Sequence, residues 1–167
     1  VVRWRGAAQD QAVQWTREPV GPERPLRVLL VAPSGSGLQV QSEIEGIKAS
    51  LATLGRAVHL ETLEGHVSPE RLRQVLRQEP GWDVLHLITH GRPVQDGPGD
   101  MELRFNHPDT AEPDEASWIE AQTFATLFRR GAVPMVVLVN SCSSAATGAP
   151  RFERAGLGEW LNAIGVP

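Results

Sequence analysis

Residues 26–32 read LRVLLVA and are closed at once by Pro33-Ser34-Gly35-Ser36-Gly37. A continuous apolar run stopped by turn residues suits a strand buried on both faces of a parallel sheet. The next stretch has a different period. From Gln39 to Leu54 the apolar positions are Val40, Ile44, Ile47, Leu51 and Leu54, the spacing of one helix face, with Gly55 placed to cap its carboxyl end. Residues 57–63 (AVHLETL) then predict a second strand. Ser68 is placed to cap a helix that carries Pro69 at its first position and Leu72, Val75 and Leu76 on its inner face. Residues 83–89 (DVLHLIT) predict a third strand, and residues 134–140 (PMVVLVN) a fourth, buried one. Between them lies a polar stretch, 92–118, in which 101–105 has the character of a short strand. A helix is predicted over 120–130 with Phe124, Leu127 and Phe128 inward, and a last helix over 156–164. Strands alternating with helices predict an α/β fold with a mostly parallel central sheet flanked by helices.

Composition bounds the rest. A chain of 167 residues makes one domain of ordinary size, able to bury a substantial core. A net charge of -4 and a pI near 5.7 provide no basic field for nucleic acid, so no direct nucleic-acid partner is expected. No apolar run is long enough to span a bilayer, and no secretory leader is legible, so no membrane partner and a cytoplasmic location are expected. A single cysteine cannot form an internal disulfide. Residues 1–25, with Trp4 and Trp15 among polar residues and three prolines at its end, are expected to be a leader or linker from an upstream region. The domain itself is expected over 26–167. The opening on Val1 and the stop at Pro167 suit a piece of something longer.

In an open α/β sheet, ligands bind beyond the carboxyl ends of the strands. Three such ends are distinctive here: Ser34-Gly35-Ser36-Gly37, Thr89-His90-Gly91 and Asn140-Ser141-Cys142. Cys142 follows an apolar strand, where it reads either as a buried structural cysteine or as a rim thiol that an imidazole could activate. His90 follows its own strand at the corresponding level, and reads either as a turn histidine or as that base. If the two strands are neighbours, the pair forms a Cys–His dyad without sequence adjacency. His86 lies on the same strand and reads as a core or supporting histidine. His59, His66 and His107 are scattered. With one cysteine and no His/Cys cluster, no metal and no cofactor are expected. Ser34–Gly37 matches neither phosphate-loop pattern and reads first as a tight turn, second as an anion-binding loop. No G-x-S-x-G elbow is present.

Residues 83–91 (DVLHLITHG) and 136–145 (VVLVNSCSSA), in that order, resemble the CHAT domain, a caspase-like cysteine peptidase family often fused to tetratricopeptide repeats. The resemblance extends over about residues 26–167, through the helix that carries Glu43 and Glu45. It implies a caspase-like sandwich and a cysteine endopeptidase. His90 matches the family's catalytic histidine and Cys142 its nucleophile. Gly91 matches the glycine whose N–H, with that of Cys142, lines the oxyanion hole. Asn140 stands two residues before the nucleophile, at a position that lines the pocket for the P1 side chain of the substrate. Because Asn140 is neutral, the expected P1 residue is uncharged unless an acid reaches the pocket from elsewhere. The resemblance also implies a protein substrate, control by an attached sensor or partner such as tetratricopeptide repeats, and a role in prokaryotic defence or cell death. Family members continue beyond a segment like Gly165-Val166-Pro167, so the fold is expected to be incomplete at its C-terminus and to be completed by the rest of the domain or by a second, processed chain. The competing functions are a non-catalytic caspase-like interaction module and, more distantly, a flavodoxin-like binding domain that uses Ser34–Gly37.

Overall fold

The computed structural model describes residues 23–35, 40–94, 101–109, 116–128, 133–141 and 161. Strand β1 (Leu26–Pro33) leads to helix α1 (Val40–Ala52), strand β2 (Val58–Gly65), helix α2 (Pro69–Leu76) and strand β3 (Val84–Ile88). Three short strands come next, β4 (Gly91–Pro93), β5 (Met101–Asn106) and β6 (Ala116–Glu120), then helix α3 (Ala121–Ala125) and strand β7 (Val136–Asn140). The main sheet has the order β2-β1-β3-β7, and each neighbouring pair is parallel. A second, antiparallel sheet has the order β4-β5-β6. The chain is therefore an α/β fold with a mostly parallel central sheet, as its sequence predicts.

Alternation along β1 and β3 separates the two faces of the sheet. Leu29, Val31, Leu85 and Leu87 enter the larger core with Leu72 and Leu76 of α2, Trp82, Leu103 and Phe105 of β5, and Phe124. Leu30, Ala32 and Ile88 enter the smaller core on the opposite face, closed by Ile44 of α1 with Val40, Ile47 and Leu60 around it. The continuous apolar run of β1 is thus buried on both sides, as a central parallel strand requires. The α2 helix starts as predicted: Ser68 Oγ accepts the Arg71 amide at 3.2 Å, and Pro69 occupies the first turn.

Four expectations need correction. Strand β7 is only half buried. Val137 and Val139 pack against the larger core, but Val136 and Leu138 are 43% and 47% exposed. β7 ends the four-strand order, and the apolar face of α1 closes over β1 and β3 instead. Helix α1 stops at Ala52, so Leu54 falls beyond the helix and is exposed. Gly55, at φ +56°, opens a single 3-10 turn at Gly55–Ala57 instead of capping α1 directly. The polar stretch 92–118 contains most of the antiparallel sheet. The short strand read over 101–105 is β5, but its neighbours β4 and β6 are not predicted; the three are held by pairing with one another. The helix predicted over 120–130 is one short turn, Ala121–Ala125. Its Phe124 and the following Leu127 and Phe128 are nevertheless buried, with Phe124 edge-on to Phe128 at 5.4 Å between ring centroids. Of the predicted last helix only Leu161 is among the described residues; it is helical and buried in the larger core. No helix among the described residues is long and apolar enough to cross a membrane.

Candidate functional site

The three strand ends singled out in the sequence lie at one edge of the main sheet. The first is occupied by the protein's own atoms. The Ser34 amide donates to Gly65 O at 2.7 Å, and Asn106 Nδ2 donates to Ser34 Oγ at 3.0 Å. The Arg104 guanidinium donates to the carbonyls of Ser34 and Gly35. Gly35 takes φ +75°, which suits a residue without Cβ. The polar groups of Ser34 thus serve a tight turn; Ser36 and Gly37 lie outside the described residues.

The other two ends are side by side. Strands β3 and β7 are direct parallel neighbours with Ile88 opposite Asn140, so the condition on which a His–Cys pairing depends is met at the level of the strands. The ladder continues one step further, because the Thr89 amide donates to Asn140 O at 3.0 Å. Thr89 is fully buried, and its hydroxyl donates to Arg104 O at 2.5 Å. The Arg104 amide in turn donates to His90 O at 2.9 Å. The backbone around half-buried His90 is therefore tied to β7 on one side and to β5 on the other. Cys142 lies outside the described residues; Ser141, which precedes it, is buried.

Gly91 closes the gap between these ends. A Cβ built on it would stand 2.7 Å from Met101 Cε, 3.0 Å from Ser141 Oγ and 3.3 Å from Ser141 Cβ. A side chain at this position would need the flexible end of Met101 to move and Ser141 to give by a few tenths of an ångström. Gly91→Ala is expected to cost about 1–3 kcal/mol through overpacking, measured as a lower denaturant midpoint. Adding Met101→Ala should recover only part of the loss, since the contact with Ser141 remains. A wild-type midpoint in Gly91→Ala would refute this close approach.

Asn140 is exposed, and its amide Nδ2 donates to Glu43 Oε1 at 2.7 Å. Glu43 sits in the first turn of α1, where a negative side chain complements the helix dipole. The same carboxylate oxygen lies 4.0 Å from His86 Nε2. Burial pushes the His86 imidazole below its ordinary pKa, and the charge of Glu43 partly opposes that shift. Glu43 therefore stands over the seam between β3 and β7. In the sequence it is one acid among several on a helix, and only the backbone geometry brings it to Asn140. Two further residues carry the site without any motif to reveal them. Arg104 and Asn106 are buried polar residues on β5 that hold the turn after β1 and the backbone at His90. Among the described residues no group of three or more His, Cys, Asp or Glu side chains could hold a metal ion.

No protein-family model matches the chain, and no curated protein matches it.

Proposed function

We propose that the chain carries a caspase-like cysteine endopeptidase of the CHAT kind, with His90 as base and Cys142 as nucleophile. One observation carries this reading: β3 and β7 are adjacent and parallel, in a register that pairs Ile88 with Asn140, and Gly91 packs against Ser141. Paired positions on neighbouring parallel strands stand roughly 5 Å apart, and His90 and Cys142 each follow such a pair by two residues in the sequence.

The residue types set the chemistry. His90 takes the thiol proton, and the Cys142 sulfur attacks the carbonyl carbon of a peptide bond. The oxyanion that forms is held by the N–H groups of Gly91 and Cys142, one such donor being worth about 3 kcal/mol. Collapse of the intermediate breaks the C–N bond, and the imidazolium returns its proton to the departing amine. Water then hydrolyses the thioester, again with His90 as base. In this reading the substrate is a protein, and residues 1–25 link the domain to a regulatory region or partner. The setting is a cytoplasmic defence or cell-death response in a prokaryote.

The test is reaction of the full chain with a peptide carrying a thiol-directed electrophile. Cys142 is expected to be modified at least about tenfold faster than a free thiol at neutral pH, and His90→Ala should remove that advantage. A rate equal to that of free cysteine, or one indifferent to His90→Ala, would favour a non-catalytic interaction module.

A further inference from the structure

We infer that Thr89 is a positioning residue, whose hydroxyl sets the place of the His90 backbone. The inference rests on the reading in which His90 is the base. Only Thr89 and His90 lie between β3, which ends at Ile88 in the main sheet, and β4, which begins at Gly91 in the antiparallel one. Thr89 is bonded to both sides of this crossing. Its amide donates to Asn140 O at the end of β7, at 3.0 Å, and its hydroxyl donates to Arg104 O on β5, at 2.5 Å. The Arg104 amide returns a bond to His90 O at 2.9 Å. One residue of β5 thus holds two consecutive residues of the crossing, the second of them His90.

A hydroxyl is a costly choice at this position. Thr89 is 1% exposed, and burying a hydroxyl without a partner costs about 1–3 kcal/mol. Valine would have the same branched shape and would continue the apolar run of β3. What threonine adds is the bond to Arg104 O. The accepting residue is itself fixed. The Arg104 guanidinium donates to the carbonyls of Ser34 and Gly35, in the turn after β1. Two positions further along β5, the buried Asn106 donates to Ser34 Oγ and accepts the Val67 amide at 2.9 Å. The Thr89 hydroxyl therefore ties the His90 segment to the turn after β1, through a strand anchored by two buried polar side chains. The tie matters for a base, because a displacement of about 1 Å costs about a hundredfold in rate.

The experiment compares Thr89→Val, which keeps the branched shape and removes the hydroxyl, with Thr89→Ser, which keeps the hydroxyl. The substrate is a fluorogenic peptide selected from a library by cleavage with the full chain. Thr89→Val is expected to lower kcat about ten- to a hundredfold with KM within about twofold, and Thr89→Ser to keep kcat within about threefold of the wild type. Amide hydrogen exchange on the same preparations reads the positioning without catalysis. In Thr89→Val the Arg104 amide should speed up at least about tenfold more than the Leu30 amide of β1, and in Thr89→Ser no more than it. An equal rise at both amides shows a loss of the whole fold and overturns the assignment. If the exchange pattern appears but the wild-type chain cleaves no peptide, the hold of the hydroxyl on the His90 segment stands and the peptidase reading alone falls. Cleavage whose kcat Thr89→Val leaves within about twofold, or that Thr89→Ser lowers as much as Thr89→Val does, overturns the role of Thr89 and leaves the peptidase standing.

Discussion

Peptide cleavage is expected to fall at least about a thousandfold in Cys142→Ala and in His90→Ala, and no further in the double variant, because a nucleophile and its base act as one unit. The fold should survive both changes. His90 is held in place by its backbone. Its carbonyl accepts from the Arg104 amide at 2.9 Å, and the preceding Thr89 is bonded to Asn140 O and Arg104 O. These bonds are made by the backbone and do not depend on the side chain, so His90→Ala is expected to keep the fold. Kinetics and unfolding curves measured on the same preparations separate the outcomes. Loss of cleavage with an unchanged midpoint supports the dyad. Substantial cleavage in either single variant, or additive losses in the double variant, would mean that the two residues do not act together.

The large-scale architecture was legible because burial on both faces writes a strong signal. A strand such as β1, with Leu29 and Val31 in one core and Leu30 and Ala32 in the other, has to be apolar at nearly every position. The α1 and α2 helices were legible for the complementary reason, since each buries one stripe, and Ser68 with Pro69 marks where α2 begins. Of the antiparallel sheet only β5 was legible, as the short strand read over 101–105; its partners β4 and β6 and the pairing were not. β4 is a three-residue strand containing glycine and proline, and β5 places Arg104 and Asn106 at buried positions. Those polar residues are buried because they bond the turn after β1, a contact 70 residues away in sequence for Arg104 and Ser34. No local period can encode such a partner.

The candidate site divides along the same line. His90, Gly91 and Asn140 could be found in the sequence because each follows or ends an apolar strand, and in a parallel sheet such ends gather at one edge. The pairing of their strands could only be conditional, since nothing in 83–91 or 136–140 specifies which strands are neighbours. The structure supplies that adjacency, and with it Glu43. The acid lies 97 residues before Asn140, on a helix whose polar face offers several equivalent charges. Sequence reasoning could not say which of these acids reaches Asn140.

The largest loss of stability is expected at Asp83, at the opposite end of the same strands. Its carboxylate is fully buried and accepts from both terminal nitrogens of Arg24, at 2.9 and 2.8 Å, and from the Arg27 amide at 2.8 Å. Its backbone carbonyl accepts from the amides of Met135 and Val136, where β7 begins, and its own amide donates to Arg27 O. One residue thus joins the starts of β1, β3 and β7. The hydrogen bond to Asp83 raises the Arg24 guanidinium above its ordinary pKa, against the opposing effect of burial. Asp83→Ala orphans the Arg27 amide, a loss of about 1–3 kcal/mol, and adds the cost of the void, read as a shift in the denaturant midpoint. Arg24 is 40% exposed and can be hydrated once its partner is gone, so the cost lies mainly in the orphaned Arg27 amide and the void left by the carboxylate. Arg24→Ala acts differently, because it takes the guanidinium away from a fully buried carboxylate. In a double-mutant cycle the two losses should therefore fail to add, with a coupling above about 1 kcal/mol. Additive losses would show that Arg24 is only a surface charge near Asp83, worth the small amount typical of exposed pairs. Non-additive losses would show that the segment before β1 is fastened to the sheet at Asp83, at the root of the two strands whose far ends carry His90 and Asn140.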